Sequence, residues 1–199
     1  MDPFLRIPRS LKILLPDGDM ILVVLLFLFL ILDVNGRNEY HAAVMQNSVS
    51  KAENIFESDI DANIDERDDR SGQTPLMMSV LMGRTDLVKF FLEKGADVTI
   101  PEKDGYTPVH GAGFQGRADI MEILIEHGLD PNDRHEDGFT PLHRACWGRE
   151  ERHTETVRVL LDAGVPATQP DAQGRTCAVL TNNDNTLHLI DDIRKHENL

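Results

Sequence analysis

The chain has 199 residues, 41% of them hydrophobic and 27% charged, a globular balance that argues against wholesale disorder and leaves room for one domain or one short repeat array. Its 34 acidic residues against 20 basic ones give a formal charge of −14. Such a surface repels a phosphate backbone, so nucleic acid is a poor partner, whereas a basic protein face or a cation is compatible.

Residues 1–36 read as a leader, separate from residues 37–199. Arg6, Arg9 and Lys12 make a basic start, and Met20 to Leu32 is an unbroken apolar run of thirteen. That run is shorter than the about 18 residues of a bilayer span, but it suits a signal-peptide core. Val34 and Gly36 are small enough for the −3 and −1 positions of a cleavage site, which places the mature start at Arg37. Asp17 and Asp19 fit a signal peptide less well. Left uncleaved, the segment is a signal anchor with its N-terminus in the cytosol and the rest of the chain in the lumen. Either way residues 37–199 enter the secretory pathway, for the endoplasmic reticulum lumen, for secretion, or as a single-pass membrane protein.

The rest of the chain is self-similar. Gly72 to Leu76, Gly105 to Val109 and Gly138 to Leu142 align, with Thr74, Thr107 and Thr140 spaced 33 apart. Each threonine sits where a helix N-cap is expected and is followed by Pro75, Pro108 or Pro141 at the first helical position, where no amide donor is missed. Short first helices run to Gly83 and Gly116. Second helices follow, with apolar pairs one turn apart: Leu87-Val88 with Phe91-Leu92, Ile120-Met121 with Leu124-Ile125, and Val157 with Leu160-Leu161. Gly95, Gly128 and Gly164 end them, the last after an interval of 36 because Arg149 to Arg152 insert about one extra turn. A weaker unit, Tyr40 to Ala43 with Ala52 to Asp65, comes first, and Glu66 to Ser71 reads as an exposed charged loop. The last unit opens at Asp171 to Thr176. It keeps an apolar stripe in Leu189, Ile190 and Ile193, then turns polar at Arg194, Lys195 and His196, as a stack end requires.

These units resemble the ankyrin-repeat family, whose repeat of about 33 residues is a turn plus two helices with a T-P-L-H-type signature. Thr140-Pro-Leu-His143 matches in full. Thr107 to His110 changes one position, Thr74 to Met77 loses the histidine, and Thr176-Cys177 loses the proline. The resemblance spans Asn38 to Ile193 and implies an all-α solenoid of about four to five helix–turn–helix units with projecting hairpin loops. Asp33 to Gly36 resembles a further repeat opening, which competes with cleavage there.

The resemblance gives His41, His110 and His143 a hydrogen-bonding role within and between repeats, rather than metal ligation. Cys146 and Cys177 map to neighbouring inner helices and read as buried free thiols; a disulfide would suit a secretory compartment. No glycine-rich phosphate loop, G-x-S-x-G elbow or H-E-x-x-H helix occurs, so neither catalysis nor a cofactor has a foothold. In this family partners meet the hairpin tips and the exposed side of the inner helices. Those positions carry Tyr106 and Phe139 after the turn glycines, Leu81, Phe114 and Trp147 late on the inner helices, and Lys103, Asp104, Glu136 and Asp137 at the tips. Aromatic side chains there serve either as interface anchors or as packing between repeats. The resemblance therefore implies an adaptor that holds a protein partner, or an inhibitor or regulatory subunit docked on one enzyme. The terminal His196-Glu-Asn-Leu199 resembles an endoplasmic-reticulum retrieval signal, with Asn198 in place of its glutamate.

Overall fold

The computed structural model describes residues 39–58 and 62–197, all within one compact unit, Asn35–Leu199. The expected leader, with its apolar run and expected cleavage site, and the last two residues of the retrieval-like tail lie outside the described residues. Among the described residues there are ten helices and no strand. They are α1 (Glu39–Met45), α2 (Val49–Ser58), α3 (Pro75–Met82), α4 (Thr85–Glu93), α5 (Pro108–Gln115), α6 (Ala118–Glu126), α7 (Pro141–Cys146), α8 (Glu151–Asp162), α9 (Cys177–Leu180) and α10 (Asp184–Glu197). No described helix is long and apolar enough to cross a membrane.

Odd-numbered helices form an inner row and even-numbered helices an outer row. Each helix packs on its antiparallel partner and on its counterpart in the next unit. The outer row is held by the expected stripe: Leu87, Val88, Phe91, Ile120, Met121, Leu124, Val157 and Leu160 are all fully buried. Burying each such side chain stabilises by about 1.5–3 kcal/mol, which covers the ordering cost that a short helix cannot meet alone. The inserted residues appear as length, since α8 has 12 residues where α4 and α6 have 9. Gly83 and Gly116 close α3 and α5 in the left-handed region, at φ 66° and 64°.

The signature threonines divide into two kinds. Thr74 is a true cap, its hydroxyl accepting from Met77 N–H at 3.1 Å. Thr107 makes no such bond, and Thr140 shares a capping box with His143, whose Nδ1 accepts from the Thr140 N–H at 3.2 Å. Their hydroxyls lie 2.9 and 2.8 Å from Nδ1 of His110 and His143. The ring takes the hydroxyl wherever the histidine is present, and Met77 leaves it to the backbone. The outward nitrogens then join the units. Nε2 of His41 donates to Gln73 O (2.8 Å), that of His110 to Phe139 O (3.4 Å) and that of His143 to Gln169 O (3.1 Å). Burial depresses the basicity of His110 and His143, which favours neutral rings with one nitrogen for each role, and the Thr107 hydroxyl also donates to Asp133 at 2.7 Å.

Two expectations are corrected. Cys146 and Cys177 are not free thiols: they form a disulfide, with Cα atoms 5.5 Å apart. Cys146 ends α7 and Cys177 begins α9, so stacking those two inner helices brings the thiols into bonding range. The segment from Glu66 to Ser71 is a tied turn and not simply an exposed loop. Asp68 is buried and accepts from the Arg70, Ser71 and Gln73 N–H groups and from the Ser71 hydroxyl. Burial opposes its ionisation, but these bonds outweigh it and hold the carboxyl at about 2.

Candidate functional site

The inner row presents side chains that the stacking does not consume. Phe114, near the end of α5, is 54% exposed, and Trp147, just past α7, is 40% exposed. Between α3 and α5 lies a pocket of about 310 Å³. Met77, Leu81, Gly111 and Phe114 make its apolar surface, Tyr106, His110 and Arg144 its walls, and Glu102 and Gln115 its rim.

Glycine explains why the pocket exists. A Cβ at Gly111 would come within 3.1 Å of Met77 Cε and 3.2 Å of Leu81 Cδ2, so its absence leaves the floor open. Gly113, two residues on, has a different role. A Cβ there would lie 2.5 Å from Pro141 O, so glycine is what lets α7 approach α5.

Arg144 organises the far side. Only 8% of it is exposed, and its guanidinium lies 4.4 Å from the ring centre of Tyr106 and 4.8 Å from those of Phe139 and Trp147. Its Nη2 donates to both Asp137 Oδ2 and the Tyr106 hydroxyl, and that hydroxyl donates to Asp137 at 2.8 Å. His135 stacks on Tyr106 with ring centres 3.9 Å apart and is 2.8 Å from Asp104 O. Burial works against the Asp137 carboxylate. Hydrogen bonds from Phe139 N–H, His135 and Tyr106, with the Arg144 charge, prevail and hold its pKa at about 2. Burial and the bond to Asp137 raise the Tyr106 hydroxyl, so it stays protonated as a donor.

The structure divides the aromatic set. Phe114 and Trp147 are exposed, as a contact surface requires. Phe139 is not: it is 7% exposed, with Trp147 edge-on at 4.6 Å and Arg144 over its face. Tyr106 is half-buried, with its hydroxyl tied. Both rings build the junction between adjacent hairpins. Leu81 is half-buried in the pocket. At the tips Lys103, Asp104 and Glu136 are exposed, whereas Asp137 is tied into the Arg144 network. The tip residues thus fall into a free group and a structural one.

The sequence profile described as Ankyrin repeats (3 copies) matches residues 11–102 and 99–171. The chain belongs to the ankyrin-repeat family. The first match begins at residue 11, within the segment that the sequence alone reads as a leader. Comparison with curated proteins finds no match. Ankyrin repeats generally mediate protein–protein interaction and are typically not enzymes, which fits a surface made of a groove and exposed rings.

Sequence reasoning missed Met77, Glu102, Gly111, Gln115, His135 and Arg144 at this ankyrin surface. Arg144 follows the signature histidine His143 directly, a register adjacent to the one chosen for the aromatic anchors. An arginine placed among Tyr106, Phe139 and Trp147 at repeat-equivalent spacing was the available signal.

Proposed function

We propose that this ankyrin-repeat chain is an adaptor of the secretory pathway, holding a protein partner across its concave inner-helix face. The observation that carries the surface is the pair Phe114 and Trp147, large rings left exposed beside a preformed apolar pocket. The disulfide between Cys146 and Cys177 supports an oxidising compartment, in line with the leader, because such bonds persist there and are rare in a reducing cytosol.

Affinity capture with the intact chain tests the surface. Phe114→Ala and Trp147→Ala should each weaken partner binding, by about 2 kcal/mol or more for a hot spot. Unchanged capture by both variants refutes the concave-face reading. Several stoichiometric partners fit an adaptor. A single captured enzyme that loses activity replaces it with an inhibitor. For the compartment, protein isolated from cells under alkylating conditions should carry the Cys146–Cys177 bond and begin near Arg37. Free alkylated thiols and an intact Met1 would overturn the secretory reading.

A further inference from the structure

We propose that the pocket between α3 and α5 receives one bulky apolar side chain of an extended partner segment that bears a lysine or arginine close to it. This rests on the reading of the concave face as the binding surface and adds the chemistry of what binds.

The pocket's floor is hydrocarbon, thioether and ring, and about 310 Å³ is small for a drug-sized ligand but ample for a leucine, methionine or phenylalanine side chain. Its wall offers donors. Arg144 uses Nη2 for both of its hydrogen bonds, so Nε–H and Nη1–H have no acceptor among the described residues. Asp137 already balances the guanidinium charge, which favours a neutral acceptor over a carboxylate. The backbone carbonyl of an extended segment is such an acceptor, whereas a helix keeps its carbonyls for itself.

Charge decides what flanks the anchor. Glu102 on the rim accepts weakly from the Gln73 side-chain amide at 3.3 Å and has no ion-pair partner among the described residues. Asp104 and Glu136 stand exposed on the adjoining tips beside Lys103, also without ion pairs among the described residues. With a formal charge of −14 behind them, these carboxylates attract a basic flank and repel an acidic one.

Selection of displayed short random peptides on the intact chain provides the test. Enriched sequences should share one large apolar residue with lysine or arginine a few positions away. Synthetic copies should lose about tenfold or more in affinity for Gly111→Met, which fills the floor. They should lose about threefold for Glu102→Gln, a difference that disappears at high salt. The flexible ends of Met77 and Leu81 can yield to the new side chain, and the milder Gly111→Ala serves as a second variant should Gly111→Met melt early. Enriched peptides lacking a basic residue, no shared sequence, or indifference to the position 111 and 102 variants would each overturn the inference. Peptides that respond to Phe114→Ala and Trp147→Ala but not to these variants refute the pocket alone. Peptides that ignore all four remove the concave-face reading as well.

Discussion

The outer helices and the concave junction are held together in opposite ways. Along α4, α6 and α8 the contact is a dry stripe of Leu, Val, Ile, Met and Phe, in which one unit closely repeats the previous one. Between the hairpins of the second and third T-P units, stability comes from a half-buried Tyr106–Asp137–Arg144 network capped by aromatic rings, and the other described units do not repeat it. The stripe is generic because it has only to exclude water. The junction is individual because each donor needs a particular acceptor, and that individuality lies on the inner-helix side. Surface specific to this ankyrin protein is therefore found where the repeat pattern is least regular.

The largest expected effect falls on the generic side. Leu124 is fully buried in α6, so Leu124→Ala opens a cavity and should cost about 2–5 kcal/mol in chemical denaturation. A loss within error of zero would show that the outer stripe is not the main source of stability. Next come the two glycines of α5. Gly113→Ala drives a Cβ against the Pro141 carbonyl, where the backbone must shift, and should cost about 1–3 kcal/mol. Gly111→Ala meets only flexible side-chain ends and gains helix propensity, so it should stay within about 1 kcal/mol of the native chain. Equal losses at both positions would remove the distinction between a glycine that permits packing and one that leaves a pocket open.

That distinction also marks how far the sequence could be read. The T-P spacing, the closing glycines and the apolar pairs were legible because each obeys a local rule repeated every 33 residues. Phe114 and Trp147 were legible as well, since a ring at a variable inner-helix position has a recognisable address. Phe139 was not. Its position matches Tyr106, yet the guanidinium of Arg144 draws it into the junction, and side-chain reach across repeats is invisible to spacing. The disulfide was legible only as the second reading, for a similar reason. Cys146 and Cys177 are 31 residues apart, and only the departure of α9 from the signature, with Cys177 where a proline would stand, places their thiols together. Asp68 looked like one charge in a charged loop, because the four hydrogen bonds its carboxylate accepts depend on the turn it closes.

Acid should separate the regions, with smaller effects per group. Asp68 and Asp137 have native pKa values of about 2, below the ordinary 3.8. Each therefore contributes stability that is present above about 3.8 and is lost as pH falls toward 2. His110 and His143 are depressed below the ordinary 6.5 by burial, so they add a loss that begins as pH falls through that value. All four changes destabilise on acidification. Melting temperature should fall in two stages, the first beginning as pH drops below 6.5 and the second as it drops below 3.8. Asp137→Asn should blunt the second stage, and Leu124→Ala should leave both in place. A profile flat from pH 7 to about 3 would contradict the neutral histidines and the held carboxylates.

The smallest effect on stability is expected at Phe114, an anchor of the proposed binding face. Phe114 is 54% exposed, so Phe114→Ala removes a ring that is already largely in water and leaves no closed cavity. Its cost to folding should be below about 0.5 kcal/mol. Trp147→Ala should cost more, because its ring rests on Phe139 and over Arg144. The two variants thus grade the aromatic face from free surface to junction. If Phe114→Ala melts several degrees lower than the native chain, the ring is packing between repeats and the binding face moves to the tips at Lys103, Asp104 and Glu136. If it melts unchanged and capture is lost, an exposed ring that does almost nothing for the fold has no remaining role except contact with a partner.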